Sequence, residues 1–316
     1  MTILVSLIGE QPIPNLLVMR AEDPIEVLMV YSTHTRPVAE RLRKLPTMPK
    51  LVDCEVNAYD FASIRAAIEH RIAVRRWTSD HLVFNLTGGT KTMAMAAFEV
   101  AKALRATFVY LQSEGRKGVL YRYAWEEFAA EGRSDARPVL TDQRDLAEIV
   151  ATRPVTVDQY IRAHVGEWRH DERNAGDPKG RDFEQLVREV LTADEAAVEE
   201  IEADVRWSDR LEADLVMRRG SNFAVAELKQ GKNAGKKDDL QQLAMIARQQ
   251  ILGTYIQPIL ILGKRMDQGN IELADSFGIA VIELSSWEQT GDLSDSDRLL
   301  LRRRVRELLS SEGVPA

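Results

Sequence analysis

The chain has 316 residues, 45% hydrophobic and 29% charged, the balance of a globular protein long enough for two domains with separate cores. A net charge of −7 excludes a generic polyanion binder, so nucleic acid would have to be met through local basic patches or through cations held by carboxylates. The single cysteine, Cys54, excludes an intrachain disulfide, and no apolar run approaches the ~20 residues of a membrane helix. The opening "MTILVSLIGEQPIP" carries no basic leader and reads as a first strand, so a cytoplasmic protein with no membrane partner is expected.

Up to about Tyr123, short apolar runs alternate with helical patterns. "ILVSLI", "VLMVY", "HLVFNL" and "TFVYL" read as strands, and Met93, Ala96, Ala97, Val100 and Leu104 recur at helical spacing. Strands alternating with helices predict a parallel sheet covered on both faces, hence a Rossmann-like first half. From about Ala124 to Gly180 charged and polar residues take over, with "AAEGRSDARP" and "HDERNAGDPKG" as loops and a short helical segment near Thr141 to Val150. This stretch reads as a linker or small subdomain. The second half opens with "GRDFEQLVREVL", in which Phe183, Leu186, Val187, Val190 and Leu191 form one apolar helix face. "LEADLVMRRGSNFAVAELKQG" then gives two strands around a turn at Arg219-Gly220-Ser221-Asn222, followed by a helix ("DDLQQLAMIARQQIL") and the strands "PILILG" and "IAVIEL". That order, α-β-β-α-β, predicts a mixed sheet. Basic residues cluster at Lys229, Lys232, Lys236 and Lys237, and again at Arg302, Arg303, Arg304 and Arg306, where a solvated face is the preferred reading.

Three loops follow strands of the first half: "GEQPIP", "STHTRP" and "TGGTKT". In an open parallel sheet, ligands bind beyond the carboxyl ends of the strands. Gly88 and Gly89 let backbone amides approach an anion, and a helix beginning near Thr90 offers its free N–H groups and positive end. Thr87, Thr90 and Thr92 add hydroxyls, and Lys91 adds a charge. Thr90 stands where a nucleoside-triphosphatase loop needs glycine, and G-x-G-x-x-G is absent too. The run "NLTGGTKTM" closely resembles the signature loop of CARF domains, the Rossmann sensors of cyclic oligoadenylates in CRISPR systems. "SLIGEQPIPNLL" resembles the first ligand loop of the branch of that family fused to a nuclease. Over residues 1–125 the resemblance implies a homodimer sharing one cyclic oligoadenylate across its two-fold axis, cyclic tetra-adenylate being the common family ligand. Carried over by position, Gly9, Glu10, Gln11, Ser32, Thr33, Thr87, Gly88, Gly89, Thr90, Lys91 and Met93 are expected in the pocket.

A second constellation lies in the other half. In "NFAVAELKQ" alternate side chains share a face, so Phe223, Val225, Glu227 and Lys229 point one way, apolar first and charged last. Asp214 sits beside Leu215 and Val216 on the preceding strand, and Glu184 lies at the rim of its helix's apolar face, about 100° from Phe183. Three carboxylates and a lysine are thus expected at one end of a mixed sheet. Two carboxylates at an open site suit Mg²⁺ or Mn²⁺, hard ions that activate water and stabilise charge on a phosphodiester, and a lysine beside them can orient the water.

The order helix-Glu184, strand-Asp214, strand-Glu227-Leu228-Lys229 resembles the PD-(D/E)xK nuclease superfamily, with Ala213 in place of the frequent proline. The resemblance implies catalytic roles for Glu184, Asp214, Glu227 and Lys229, metal held at Asp214, Glu227 and Leu228, and DNA and/or RNA as substrate. The expected fold class is α/β: an N-terminal Rossmann-like CARF domain (1–125), a connecting segment (126–178) and a C-terminal PD-(D/E)xK restriction-endonuclease-like α/β domain (179–316). The expected function is a metal-dependent endonuclease of type III CRISPR defence, activated by cyclic oligoadenylate. Two alternatives stand beside it. A ligand-responsive transcription regulator would need a helix-turn-helix pattern, which is not evident, and has no use for Asp214, Glu227 and Lys229 together. A ring nuclease would destroy the signal in the sensor pocket itself. Two motifs are set aside: Arg65 to His70 spells the R-x-x-x-x-H of HEPN ribonucleases but falls on a helix of the sensor half, and His164 and His170 read as surface residues.

Overall fold

A computed structural model of the chain describes residues 1–310 apart from 115–116, 131–132, 171–177, 194–196, 210, 249–250 and 254. The chain divides into two units, Met1–Val155 and Thr156–Ala316.

The first unit runs β1 (Ile3–Leu7), α1 (Ile13–Glu22), β2 (Glu26–Tyr31), α2 (Arg36–Arg43), β3 (Lys50–Glu55) and α3 (Phe61–Arg75). It continues with β4 (Leu82–Asn85), α4 (Lys91–Leu104), β5 (Thr107–Glu114), β6 (Lys117–Ala130), β7 (Arg133–Asp145) and α5 (Leu146–Thr152). Its seven strands lie in the order β3-β2-β1-β4-β5-β6-β7. The first five are parallel, and β6 and β7 add antiparallel strands at the far edge. Every residue of β1 and β4 is buried, because helices cover both faces, so these strands are apolar apart from Ser6 and Asn85. The strand order reverses between β1 and β4. That is the switch point of an open parallel sheet, and the loops after these two strands flank it. The strand β3 escapes the sequence pattern because it lies at the edge and alternates charged with apolar residues.

The stretch 126–178, expected as a connecting segment, is instead built into both units. The β6–β7 hairpin extends the first sheet and α5 lies against α1, while everything from Thr156 belongs to the second unit. Aromatic packing and a buried ion group hold the hairpin in place. Tyr123 stacks on Phe108 at 4.8 Å, Trp125 packs on Phe98 at 5.3 Å, and the Trp125 indole donates to the Ala106 carbonyl at 2.8 Å. Glu22, at the end of α1, has a side chain only 4% exposed and accepts from Arg122 of β6 at 2.5 Å and Arg144 of β7 at 2.7 Å. Both arginines stay partly solvated.

The second unit runs α6 (Val157–Val165), β8 (Arg169–His170), α7 (Pro178–Thr192), β9 (Glu200–Arg206), β10 (Glu212–Arg219) and β11 (Asn222–Lys229). Then come α8 (Lys237–Ile246), β12 (Ile256–Leu262), α9 (Gln268–Ser276), β13 (Ala280–Glu283), α10 (Ser286–Thr290) and α11 (Asp295–Leu309). The sheet order is β13-β12-β11-β10-β9-β8, antiparallel from β8 to β11 and parallel from β11 to β13. The apolar face of α7 (Phe183, Val187, Val190, Leu191) packs with Leu215 and Met217 of β10, Ala224 and Ala226 of β11, and Leu301 and Val305 of α11. Tyr160 is fully buried, stacks on Phe223 at 4.0 Å and donates to the Leu252 carbonyl at 2.6 Å. His164, expected at the surface, is a core residue: it is buried, its Nδ1 lies 2.9 Å from the Tyr160 carbonyl, and its ring packs on Tyr160. No described helix is long and apolar enough to cross a membrane.

The Glu22 group yields a test of the hairpin's place in the fold. Glu22→Ala removes the buried carboxylate that Arg122 and Arg144 share, leaving Arg144 only Asp142 and the Ala21 carbonyl, so the first unit should lose about 2–3 kcal/mol in urea unfolding. An unchanged midpoint would show the hairpin to be an independent appendage.

Candidate functional site

At the switch point of the first unit the loops after β1 and β4 meet backbone to backbone. A Cβ on Gly88 would stand 2.1 Å from the Leu7 carbonyl oxygen, so no other residue fits there. Gly89 holds φ +72°, the left-handed region that glycine enters without cost. Beneath the loops lies a buried polar triad. Ser6 of β1 donates to the Asn15 Oδ1 of α1 at 2.7 Å, and the Asn85 amide of β4 donates to Ser6 at 3.0 Å. The Asn85 Oδ1 in turn accepts from the Thr87 backbone N–H at 3.1 Å. One polar cluster therefore fixes both loops to the sheet.

The threonines act mainly within the protein. Thr87 Oγ1 accepts from the Leu111 N–H at 2.9 Å. Thr90 caps α4, accepting from the Met93 N–H at 3.2 Å while donating to the Ala58 carbonyl at 2.7 Å. Ser32 is buried in a local turn with Thr35, and Thr33 donates to Glu55 at 3.0 Å. Met93, expected in the pocket, is only 1% exposed and lies in the core under Gly89. It supports the loop and offers no surface. What faces outward is the glycine backbone, with exposed Gly89 and Lys91 beside the positive end of α4. Exposed Glu10 of the first loop meets His34 of the second at 3.0 Å. The sequence reading passed over His34, although its place in the polar run "STHTRP" is a usable signal.

In the second unit, β10 and β11 pair Leu215 with Ala226, which sets Asp214 across from Glu227. Lys229 Nζ lies 2.9 Å from Glu227 Oε2 and 3.6 Å from Asp214 Oδ2, and Asp214 Oδ2 also accepts from the Leu228 N–H at 2.6 Å. Glu227 is 1% exposed, and its Oε1 is buried with no hydrogen-bond partner among the described residues. Burial, reinforced by the charge of Asp214, pushes the Glu227 carboxyl up to about 8. Glu184, on α7, is pushed up to about 7 by burial and by the charges of Asp214 and Asp204. Asp214 is raised by burial too, against the pull of Lys229 and the Leu228 N–H. Burial disfavours the Lys229 ammonium, but Asp214 and Glu227 outweigh it and hold its pKa above the usual lysine range.

This donor set fits a hard divalent cation. It consists of carboxylate oxygens, one of them buried and unpartnered, and Leu228, whose side chain is in the core, can add only its main-chain oxygen. Among the described residues no three His, Cys, Asp or Glu side chains gather as a metal cage, and Glu184 is linked to the pair through the charge of Asp214. Lys232, Lys236 and Lys237 are exposed in the segment after β11, and Lys264 donates to the Lys232 carbonyl at 3.1 Å. The two motifs set aside stay outside both sites. Arg65 pairs with Glu69 at 2.8 Å on an exposed helix face, and His170 contacts the Ala203 carbonyl at 2.9 Å. The arginines of α11 include Arg303 and Arg304, both paired with Glu307.

Residues 3–131 match the family model described as the Card1 CARF domain. The first unit carries a CARF domain. The match runs through strand β6, past residue 125, where the domain was expected to end. The fold as a whole is similar to Can2 from Sulfobacillus thermosulfidooxidans in complex with cyclic tetra-adenylate, with TM-score 0.65 and 14% identity over 97% of this chain and 96% of that one. It is similar to VC1899 from Vibrio cholerae, with TM-score 0.64 and 11% identity over 96% and 97% of the two chains. A type III CRISPR defence DNA nuclease activated by cyclic oligoadenylate gives TM-score 0.54 and 16% identity over 94% of this chain and 50% of that one. At these identities the likeness is one of fold. No curated protein sequence matches the chain.

The raised carboxyl pKa of Glu227 sets the sign of a pH effect. Its folded value, about 8, lies above the unfolded value near 4.5, so the folded state binds the extra proton and its stability falls as pH rises between the two. Melting temperatures of metal-free wild type should therefore decline from pH 5 to pH 8 more steeply than those of Glu227→Gln. Parallel slopes would show that Glu227 is ionised throughout.

Proposed function

We propose that the chain is a metal-dependent nuclease of the PD-(D/E)xK type, switched on by cyclic oligoadenylate bound to its CARF domain and acting in CRISPR defence. One observation carries this reading: the Lys229 ammonium lies within 3.6 Å of both Asp214 and Glu227 at a strand end, in a chain whose other unit is a CARF domain. The similarity in fold to cyclic-oligoadenylate-binding proteins over nearly the whole chain supports it.

Asp214 and Glu227, with the Leu228 main-chain oxygen, would hold Mg²⁺ or Mn²⁺. Such a cation supplies positive charge to the scissile phosphodiester and acidifies the attacking water. Lys229, kept as an ammonium by its two carboxylates, donates to the charge that grows on the phosphate oxygens or orients the water. Exposed Lys232, Lys236 and Lys237 lie in the segment following that strand and provide cations for a DNA or RNA backbone. In the CARF domain the glycine amides and Lys91 receive internucleotide phosphates, while Glu10 and Gln11 belong to the first loop of the same crevice.

Incubation with each cyclic oligoadenylate, Mg²⁺ or Mn²⁺, and labelled DNA and RNA tests the whole reading. Asp214→Ala should abolish cleavage and leave ring affinity within about twofold, since changes at independent sites seldom couple. Lys91→Ala should shift the activation curve to higher ring concentration and leave the saturated rate intact. Wild-type cleavage by Asp214→Ala with metal present would remove the assignment.

A homodimer belongs to this reading, because a ligand shifts an equilibrium only by its differential affinity, and a hundredfold activation needs roughly 2.7 kcal/mol. A ring touching two copies at once can supply that. Exposed Phe61, Met95 and Tyr110 line an apolar hollow of about 530 Å³ with Leu86 and Phe98, near the glycine loop of the CARF domain, a surface suited to a second copy. Met95→Glu should shift sedimentation toward the monomer and weaken ring binding together. A dimer that persists with full affinity would place the contact elsewhere.

A further inference from the structure

A cavity of about 220 Å³ lies at the amino ends of the first unit's strands. Its lining comes from segments that precede strands: Asp23 and Pro24 lead into β2, and Thr47, Met48 and Pro49 lead into β3. In a parallel sheet these segments stand at the opposite end from the loops that follow β1 and β4. Arg20 of α1 and Arg153, just past α5, also line it. None of these residues belongs to either site described above.

The cavity combines an apolar floor with cations. Leu16, Met19 and Pro24 are buried beneath it. Against that floor the lining sets two guanidinium groups and one carboxylate, Asp23, which is ion-paired with Arg153. Arg20 is only partly exposed. Burial and then the charge of Arg153 lower the Arg20 pKa, and Asp23 offsets them incompletely. The lining therefore carries an excess of positive charge partly withdrawn from water. A guanidinium beside an apolar wall attracts an anion more strongly than one in bulk water, and its planar fork matches carboxylate and phosphate oxygens.

Size narrows the ligand. Pockets for drug-sized ligands run from roughly 300 to 1,000 Å³, so a cavity of about 220 Å³ suits a small anion and not a ring of nucleotides. Thr47 at its edge holds φ +59°, a left-handed backbone uncommon for a β-branched residue. We propose that this cavity is an anion site separate from the ring crevice, taking a small carboxylate or phosphate monoester with a short apolar body between Arg20 and Arg153. The floor receives the body and the two guanidinium groups receive the charge.

Isothermal calorimetry on the full chain tests this with butyrate, inorganic phosphate and, as an uncharged match, butanol. Butyrate or phosphate should bind, and the tighter of the two tells a carboxylate site from a phosphate site. Arg20→Gln and Arg153→Gln should each weaken that anion about tenfold or more, since each removes a charged hydrogen-bond donor. Half of the Arg153 side chain is exposed, so Arg153→Gln reads the site even where Arg20→Gln lowers the melting temperature. Asp23→Asn should instead tighten binding, because it removes the competing carboxylate, and asparagine accepts the left-handed backbone that Asp23 holds. Absence of binding by either anion at about 10 mM overturns the proposal. Butanol binding as tightly as butyrate overturns it too, as does equal anion binding by wild type and both arginine variants.

Discussion

Lys229 holds together two carboxylates that the fold removes from water. A carboxyl as buried as Glu227 cannot ionise cheaply, and its neighbour Asp214 makes ionisation costlier still. The ammonium at 2.9 and 3.6 Å answers part of that negative charge. The remainder, including the unpartnered Oε1, leaves the strand end short of positive charge. A group of this kind is a poor stabilising device, since a buried ion pair returns little beyond its desolvation cost. On the proposed reading, it is a place that gains from a cation.

The CARF domain handles its ligand loop differently. It offers little net charge and much rigidity. Gly88 lies against the Leu7 carbonyl, and the Ser6–Asn15–Asn85 triad ties both strands to the loops. The hydroxyls of Thr87 and Thr90 are used to fix backbone, which leaves amides and one lysine to face outward. A crevice so held is preorganised, and a preorganised site loses less entropy when a ring binds.

The two units also differ in how they end their sheets. The first is extended by a long hairpin whose outer positions are charged and whose attachment depends on Glu22 and on aromatic packing against Phe108. The second is mixed, with a parallel half carrying apolar strands and an antiparallel half carrying the acidic ones.

The sequence by itself determined the elements whose burial is complete. Strands such as "VLMVY" and "PILILG" are covered on both faces and so spell themselves as apolar runs, and the α7 face of Phe183, Val187, Val190 and Leu191 follows from helical spacing alone. The motifs "TGGTKT" and Glu227-Leu228-Lys229 were legible because close backbone approach demands glycine and because a strand's period of two places Glu227 and Lys229 on one side. Only the tertiary structure decided the rest. The strands β3, β7 and β9 are partly exposed, so their charged residues mask the period. The residues between 126 and 155 read as a linker because their partners lie far away in the chain, as Glu22 does from Arg144. That Met93 packs in the core beneath the loop, and that the hydroxyls of Thr87 and Thr90 bond within the protein, is decided by the fold. The placement of Asp214 across from Glu227 carries no local signal either, because it comes from cross-strand register, and register is set by the pairing of whole strands.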